Sequence, residues 1–247
     1  MNQNYLTESI ADYNASLCLL KDKNYARALY CFQQSVEKSY KYICLESGAV
    51  EISDLRNLSH NVFRSINKLA SHYEKTSTIS DRQIAKEVEY DLKILSNQNN
   101  IAEIVANVIE LTNNILQKPP TFNKLHNESY VNAFYRTARE FGIEVPQQIV
   151  YELEALEFCE PETIKQLLAE VIEFYNTGIK IIELISTISI YTNHFDSNKL
   201  RYPSEDFGSP SLYFDSENIY IKALPNLLNT YHDYILIQLD KVNWGMV

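Results

Sequence analysis

The chain has 247 residues, 45% of them hydrophobic, and a formal net charge of -10 at neutral pH. That composition argues against wholesale disorder and removes the simplest nucleic-acid binder, a broad basic face that neutralises many phosphates. Gly occurs five times and Pro seven, against 18 Tyr and ten Phe, a balance that favours long helices over a many-stranded sandwich.

A first helix is predicted over residues 7–20, with Thr7 as its cap and Ile10, Tyr13, Leu17 and Leu20 on one side. A KDKN turn leads into a second helix from Tyr25 to about Ser47, where Leu29, Phe32, Val36, Tyr40 and Ile43 keep three-four spacing. Gly48 is the stop. A third helix begins near Asp54 and carries Leu55, Leu58, Val62, Ile66, Leu69 and Tyr73. Asp81 caps the next, with Ile84, Val88, Leu92 and Leu95 in register; SNQNN at 96–100 interrupts it, and Ile101 to Leu116 resumes the pattern. Pro119 and Pro120 end that unit.

Shorter helices are predicted at 125–140 and 146–158, separated by Gly142 and Pro146. A long helix spans 161–192, with Pro161 in its first turn. An irregular linker, 193–215, holds Pro203, Gly208 and Pro210, and a last helix covers 216–240 with Pro225 as a restart or kink. The reading is all-α, one helical domain over 1–247. Its first three and last two helices share a core, and residues 78–158 are an insertion or an extension of the bundle suited to partner recognition or dimerisation.

No G-x-G-x-x-G, Walker A or H-E-x-x-H motif occurs, and His72, His126, His194 and His232 form no ligand cluster in sequence, so no cofactor and no metal are expected. Cys18, Cys31, Cys44 and Cys159 make no C-x-x-C pair and read as small buried hydrophobes in a reducing compartment. The N-terminal stretch lacks a secretory pattern. The most apolar run, IKIIELISTISIYTNHF, contains Lys180 and Glu183 and is too polar for a membrane span. A cytoplasmic protein is expected, without membrane or extended duplex DNA as partner.

Three short stretches carry a resemblance. Lys23-Asn24-Tyr25-Ala26-Arg27-Ala28, followed by Cys31-Phe32-Gln33-Gln34-Ser35-Val36-Glu37-Lys38 and Lys41, resembles the second-helix signature of HEPN domains (higher eukaryotes and prokaryotes nucleotide-binding). His60 in LSHNVFRSI looks like the His-Asp-Leu stretch that opens their third helix, with Asn61 in place of the aspartate. Arg201-Tyr202-Pro203 looks like the Arg-Tyr-Pro element between their last two helices. The resemblance covers roughly residues 8–75 and 160–240.

It implies a HEPN-like up-and-down bundle, often homodimeric and prokaryotic, that binds a nucleotide or short RNA or works beside a nucleotidyltransferase protein. The candidate binding group is Gln34, Lys38, Lys41, His60, Arg201 and Tyr202. Gln34, Lys38 and Lys41 share a helix face, the cations and amide suit a phosphate, and Tyr202 offers a stacking surface. Gln33 and Glu37 complete the polar sides of the second helix, and Glu37–Lys41 also reads as a routine surface pair.

A subset of the family are metal-independent ribonucleases of toxin–antitoxin, CRISPR and anti-phage systems, whose motifs meet across a dimer. Arg56, Asn57 and His60 offer that chemistry, since positions i and i+4 share a face, but with one residue fewer between Arg and His than the usual motif. A third reading is a structural protein-interaction bundle, with Arg201 pinned to a carboxylate. Phe207, Tyr213 and Phe214 are linker aromatics able to close over a groove or a neighbouring subunit. Glu152, Glu154, Glu157, Glu160 and Glu162 form an acidic, solvated patch.

Overall fold

Small side chains let the first two helices, α1 (Asn2–Lys21) and α2 (Tyr25–Glu46), lie against each other along their whole length as an antiparallel hairpin. Ser16 donates to the Ala28 carbonyl at 2.8 Å, and Ser9 and Ser35 each donate to the other's backbone oxygen at 2.9 and 2.8 Å. Only hydroxymethyl and methyl groups at these positions permit so close an approach. The computed structural model describes residues 2–55, 68, 71, 100–119, 132, 135, 136, 139, 147–159, 161–194, 198–203 and 208–242.

The turn of the hairpin closes by backbone bonds, with Asn24 N–H donating to the Leu19 carbonyl at 2.8 Å and Lys23 N–H to that of Leu20 at 3.1 Å. This is the paired-bond helix stop that needs a left-handed residue, and Lys23 supplies it at φ 60°. At the far end of α2, Gly48 takes φ 73° and its N–H reaches the Leu45 carbonyl at 3.2 Å, so the expected glycine stop is present. α1 itself begins at Asn2, five residues before Thr7. Its extra turn is held from outside, because Gln3 donates to the Asp240 carboxylate at 2.9 Å.

A 3₁₀ turn (Ile52–Asp54) follows α2. Beyond it the described helices are α3 (Ile101–Gln117), α4 (Gln147–Cys159), α5 (Pro161–Asn193), the single turn α6 (Pro210–Tyr213) and α7 (Ile219–Tyr231). Most of the helices predicted over 55–73, 81–95 and 125–140 lies outside the described residues. Asn100 caps α3 by accepting from Ala102 N–H at 3.1 Å, which explains why the chain turns helical directly after SNQNN. α6 lies within the predicted linker, and Pro210 stands in its first turn.

The predicted last helix, 216–240, is shorter than its pattern. Asn218 caps α7 by accepting from Tyr220 N–H at 3.0 Å, Pro225 sits exposed within the helix, and a π-turn (His232–Leu236) replaces α-helix after Tyr231. The core is all-α among the described residues. Leu29, Phe32, Val36 and Tyr40 of α2 meet Ile181, Leu184, Ile185 and Ile188 of α5, with Leu224, Leu227 and Leu228 of α7 in the same cluster.

α3 belongs to that core too, through Ile104, Val105 and Val108. This portion of the 78–158 block is thus continuous with the main bundle. Lys118 at its end meets the largely buried Glu183 of α5 at 2.6 Å, and Lys180 donates to the Leu116 carbonyl at 3.4 Å, which helps satisfy the end of α3. No helix among the described residues is long and apolar enough to cross a membrane.

Candidate functional site

α2 is the central helix, packed on α1, α5 and α7 and touched by α6. At 100° per residue, Tyr30, Gln34 and Lys41 fall within about 40° of one another, at one side of an exposed sector that Arg27, Lys38 and Cys31 extend to about 100°. Gln33 and Glu37, expected on the polar side, are each only 4% exposed. Enclosure of the helix from several directions brings that side into the interior, and Glu37 meets the demand by pairing with Lys41 at 2.7 Å. The i,i+4 pair anticipated as a surface feature is therefore largely desolvated.

The connection after α5 returns to this sector. Arg201 and Tyr202 sit on a turn in which both backbone N–H groups donate to the Asn198 carbonyl, at 3.0 and 2.9 Å. The Arg201 guanidinium donates from Nη2 to Asn198 Oδ1 at 3.1 Å and lies 5.0 Å from the centre of the Tyr30 ring. It is also 5.3 Å from the centre of the Tyr202 ring, which is 58% exposed. The geometry is a cation between two phenol rings, half-buried, with an amide one turn along α2. A guanidinium held this way is oriented in advance for an oxyanion, and the outer ring is available for stacking against a planar group.

Lys38 is placed differently. It lies about 80° around the helix from Tyr30 and bridges to α1, 2.7 Å from Asp12 and 3.3 Å from Glu8. Burial works against its charge, but hydrogen bonding and attraction from Asp12, then Glu8, hold its pKa above the ordinary lysine value. Arg56, Asn57 and His60 lie outside the described residues, as does Phe207. Of the other linker aromatics, Phe214 is buried in the core and Tyr213 packs on it edge-on at 4.9 Å. Cys44 is buried, Cys31 half-buried and Cys18 exposed, so Cys18 departs from the expected pattern because it faces solvent on α1.

Sequence reasoning missed two features. Tyr30, the ring under Arg201, stands one turn before Gln34, and that i,i+4 relation was its only signal. The other is a buried hydroxyl cluster. Tyr231 Oη lies 3.0 Å from Ser9 Oγ, 3.0 Å from Ser35 Oγ and 2.6 Å from Ser39 Oγ, and Ser9 and Ser39 are 2.8 Å apart. The trace was serine at i,i+4 in α2. Burial, against relief from its serine hydrogen bonds, pushes the Tyr231 phenol up to about 12.

Among the described residues no group of three His, Cys, Asp or Glu side chains is placed to hold a metal ion. No family model, curated protein or solved structure matches the chain.

Proposed function

We propose that this chain is a HEPN-like, non-catalytic bundle that binds a nucleotide or the end of a short RNA at the Arg201 cluster. One observation carries the reading: the Arg201 guanidinium lies over Tyr30, within the very helix whose sequence bears the family-like signature. Two of the three stretches behind the resemblance, far apart in sequence, therefore adjoin in space. Arg201 receives the phosphate, Tyr202 stacks on the base, and Gln34 supplies an amide one turn along α2. Lys41 neutralises Glu37 so that the floor of the site does not repel an anion. Lys38 ties α2 to α1. His60 and a second copy of the chain complete the site in this reading.

Calorimetric titration with adenosine 5′-monophosphate and with a single-stranded tetranucleotide tests it. Binding by wild type, weakened about tenfold or more in Arg201→Gln and in Tyr202→Ala proteins with unchanged melting curves, is the expected result. Absence of binding at millimolar ligand refutes it in favour of a structural bundle. Metal-independent RNA cleavage that disappears in Arg56→Ala and His60→Ala proteins refutes its non-catalytic part.

A further inference from the structure

We propose that the tip of the α1–α2 hairpin is a second contact zone for a single-stranded RNA whose end sits at Arg201, with Lys21, Lys23 and Arg27 receiving its next phosphates. The inference rests on the nucleotide reading above and chooses a short RNA over a free nucleotide. Charge is unevenly spread along the hairpin. Between positions 13 and 36 the charged side chains are Lys21, Asp22, Lys23 and Arg27, three cations against one acid in a chain of net charge -10. All three cations are exposed, and none makes an ion pair among the described residues. Glu8 and Asp12 lie farther along α1 and are engaged by Lys38. The tip is thus a local positive region on an acidic body.

The backbone adds to it. α2 has no acidic residue in its first turn and Asn24 makes no side-chain cap bond, so α2 itself leaves its positive end unneutralised. Axial distance joins the tip to the Arg201 turn. At 1.5 Å per residue, Tyr30, which carries the Arg201 guanidinium, stands about 4–5 Å along α2 from Arg27 and about 7–8 Å from the helix start at Tyr25. The Ser16–Ala28 bond sets the uncharged stretch 14–19 of α1 beside this length. Residues 198–203 contribute Lys199 and Arg201 and no carboxylate. A few nucleotides cover the span, and a base stacked on Tyr202 distinguishes RNA from an acidic peptide.

The test is titration of wild type and a Lys21→Gln/Lys23→Gln/Arg27→Gln variant with adenosine 5′-monophosphate and with 5′-phosphorylated hexaadenylate, at salt from about 50 to 200 mM. A melting curve matching wild type verifies the fold of the variant. Wild type should bind the hexamer at least about tenfold more tightly than the mononucleotide at the low-salt end. The variant should bind the mononucleotide within about twofold of wild type and lose about tenfold or more for the hexamer. Its slope of log affinity against log salt should be shallower by about 2, at roughly 0.7 per phosphate of a single strand. If the hexamer binds no tighter than the mononucleotide, or the variant keeps wild-type affinity and slope for it, the tip is ruled out and the nucleotide reading stands. If the variant weakens both ligands equally, the three cations act as general charge and the inference falls. If wild type binds neither ligand, both readings fall. Hexaglutamate as competitor identifies the partner: failure to displace the hexamer at equal concentration supports RNA, and displacement marks an acidic peptide and overturns the inference.

Discussion

Arg201 and Tyr30, 171 positions apart in the chain, stack with the guanidinium carbon 5.0 Å from the ring centre, and this contact fastens the α5–α6 connection to the central helix. A partly exposed cation–π contact contributes about 0.5–1 kcal/mol, so Tyr30→Leu should lower stability by roughly that amount. The same change should weaken nucleotide binding more than it weakens the fold, because Arg201 loses its orientation. Urea unfolding beside calorimetry checks both. Equal small losses in Tyr30→Leu and in a surface control would show that the stack positions nothing.

Lys38 gives the opposite pattern. Its ion pairs with Asp12 and Glu8 join α1 to α2 at a site about a quarter exposed for the lysine, and such pairs contribute about 0.5–1 kcal/mol. Lys38→Gln should cost that much stability and leave nucleotide affinity within about twofold. A tenfold loss of affinity without loss of stability would return Lys38 to the binding group.

The hydroxyl cluster should be sensitive to a single oxygen. Tyr231→Phe leaves Ser9, Ser35 and Ser39 buried without their shared partner. The expected cost is about 1–3 kcal/mol, read as a lower urea midpoint at constant slope. Replacing all three serines by alanine in the Tyr231→Phe background should recover part of the loss, since apolar groups of similar shape need no partner.

Alkali should unfold the protein by way of its buried phenols. Burial raises Tyr42 and Tyr231 to about 12, and Tyr191 and Tyr220 are raised as well. The unfolded chain ionises these groups near their ordinary value of about 10 while the folded chain keeps them protonated, so their contribution is intact below pH 10 and is lost as pH rises toward 12. Urea midpoints measured from pH 9 to 11.5 should fall accordingly, and less steeply in Tyr231→Phe. A flat profile would mean these phenols ionise freely in the folded protein.

Lys23 holds a left-handed conformation at φ 60° in the α1–α2 turn. A non-glycine residue there costs about 1 kcal/mol, so Lys23→Gly should raise stability by up to that amount, less the entropy that glycine adds to the unfolded chain. An unchanged or lower unfolding midpoint would place the strain elsewhere.

What the sequence made legible was whatever repeats along one helix. Leu29, Phe32, Val36 and Tyr40 announced α2, and Ile101 and Pro161 marked the starts of α3 and α5 to the residue. Elements shaped by distant contacts were not legible. The first turn of α1 depends on Asp240, and the π-turn after Tyr231 arises where Ile235, Leu236 and Leu239 meet the core. The site divides the same way. Arg201, Tyr202 and Gln34 were visible as residue types in suggestive places, but the ring that Arg201 occupies is a tertiary fact. Burial of Glu37 was hidden because periodicity identifies the apolar side of a helix without telling how many neighbours enclose it.

Ser35 of the α1–α2 hairpin meets its phenol partner 196 positions later in the chain. At about 5–20 residues per second, ribosomal synthesis separates the two by roughly 10–40 s. Throughout that interval the hairpin can close through its own serine bonds to backbone, while the phenol that joins Ser9, Ser35 and Ser39 comes only with α7.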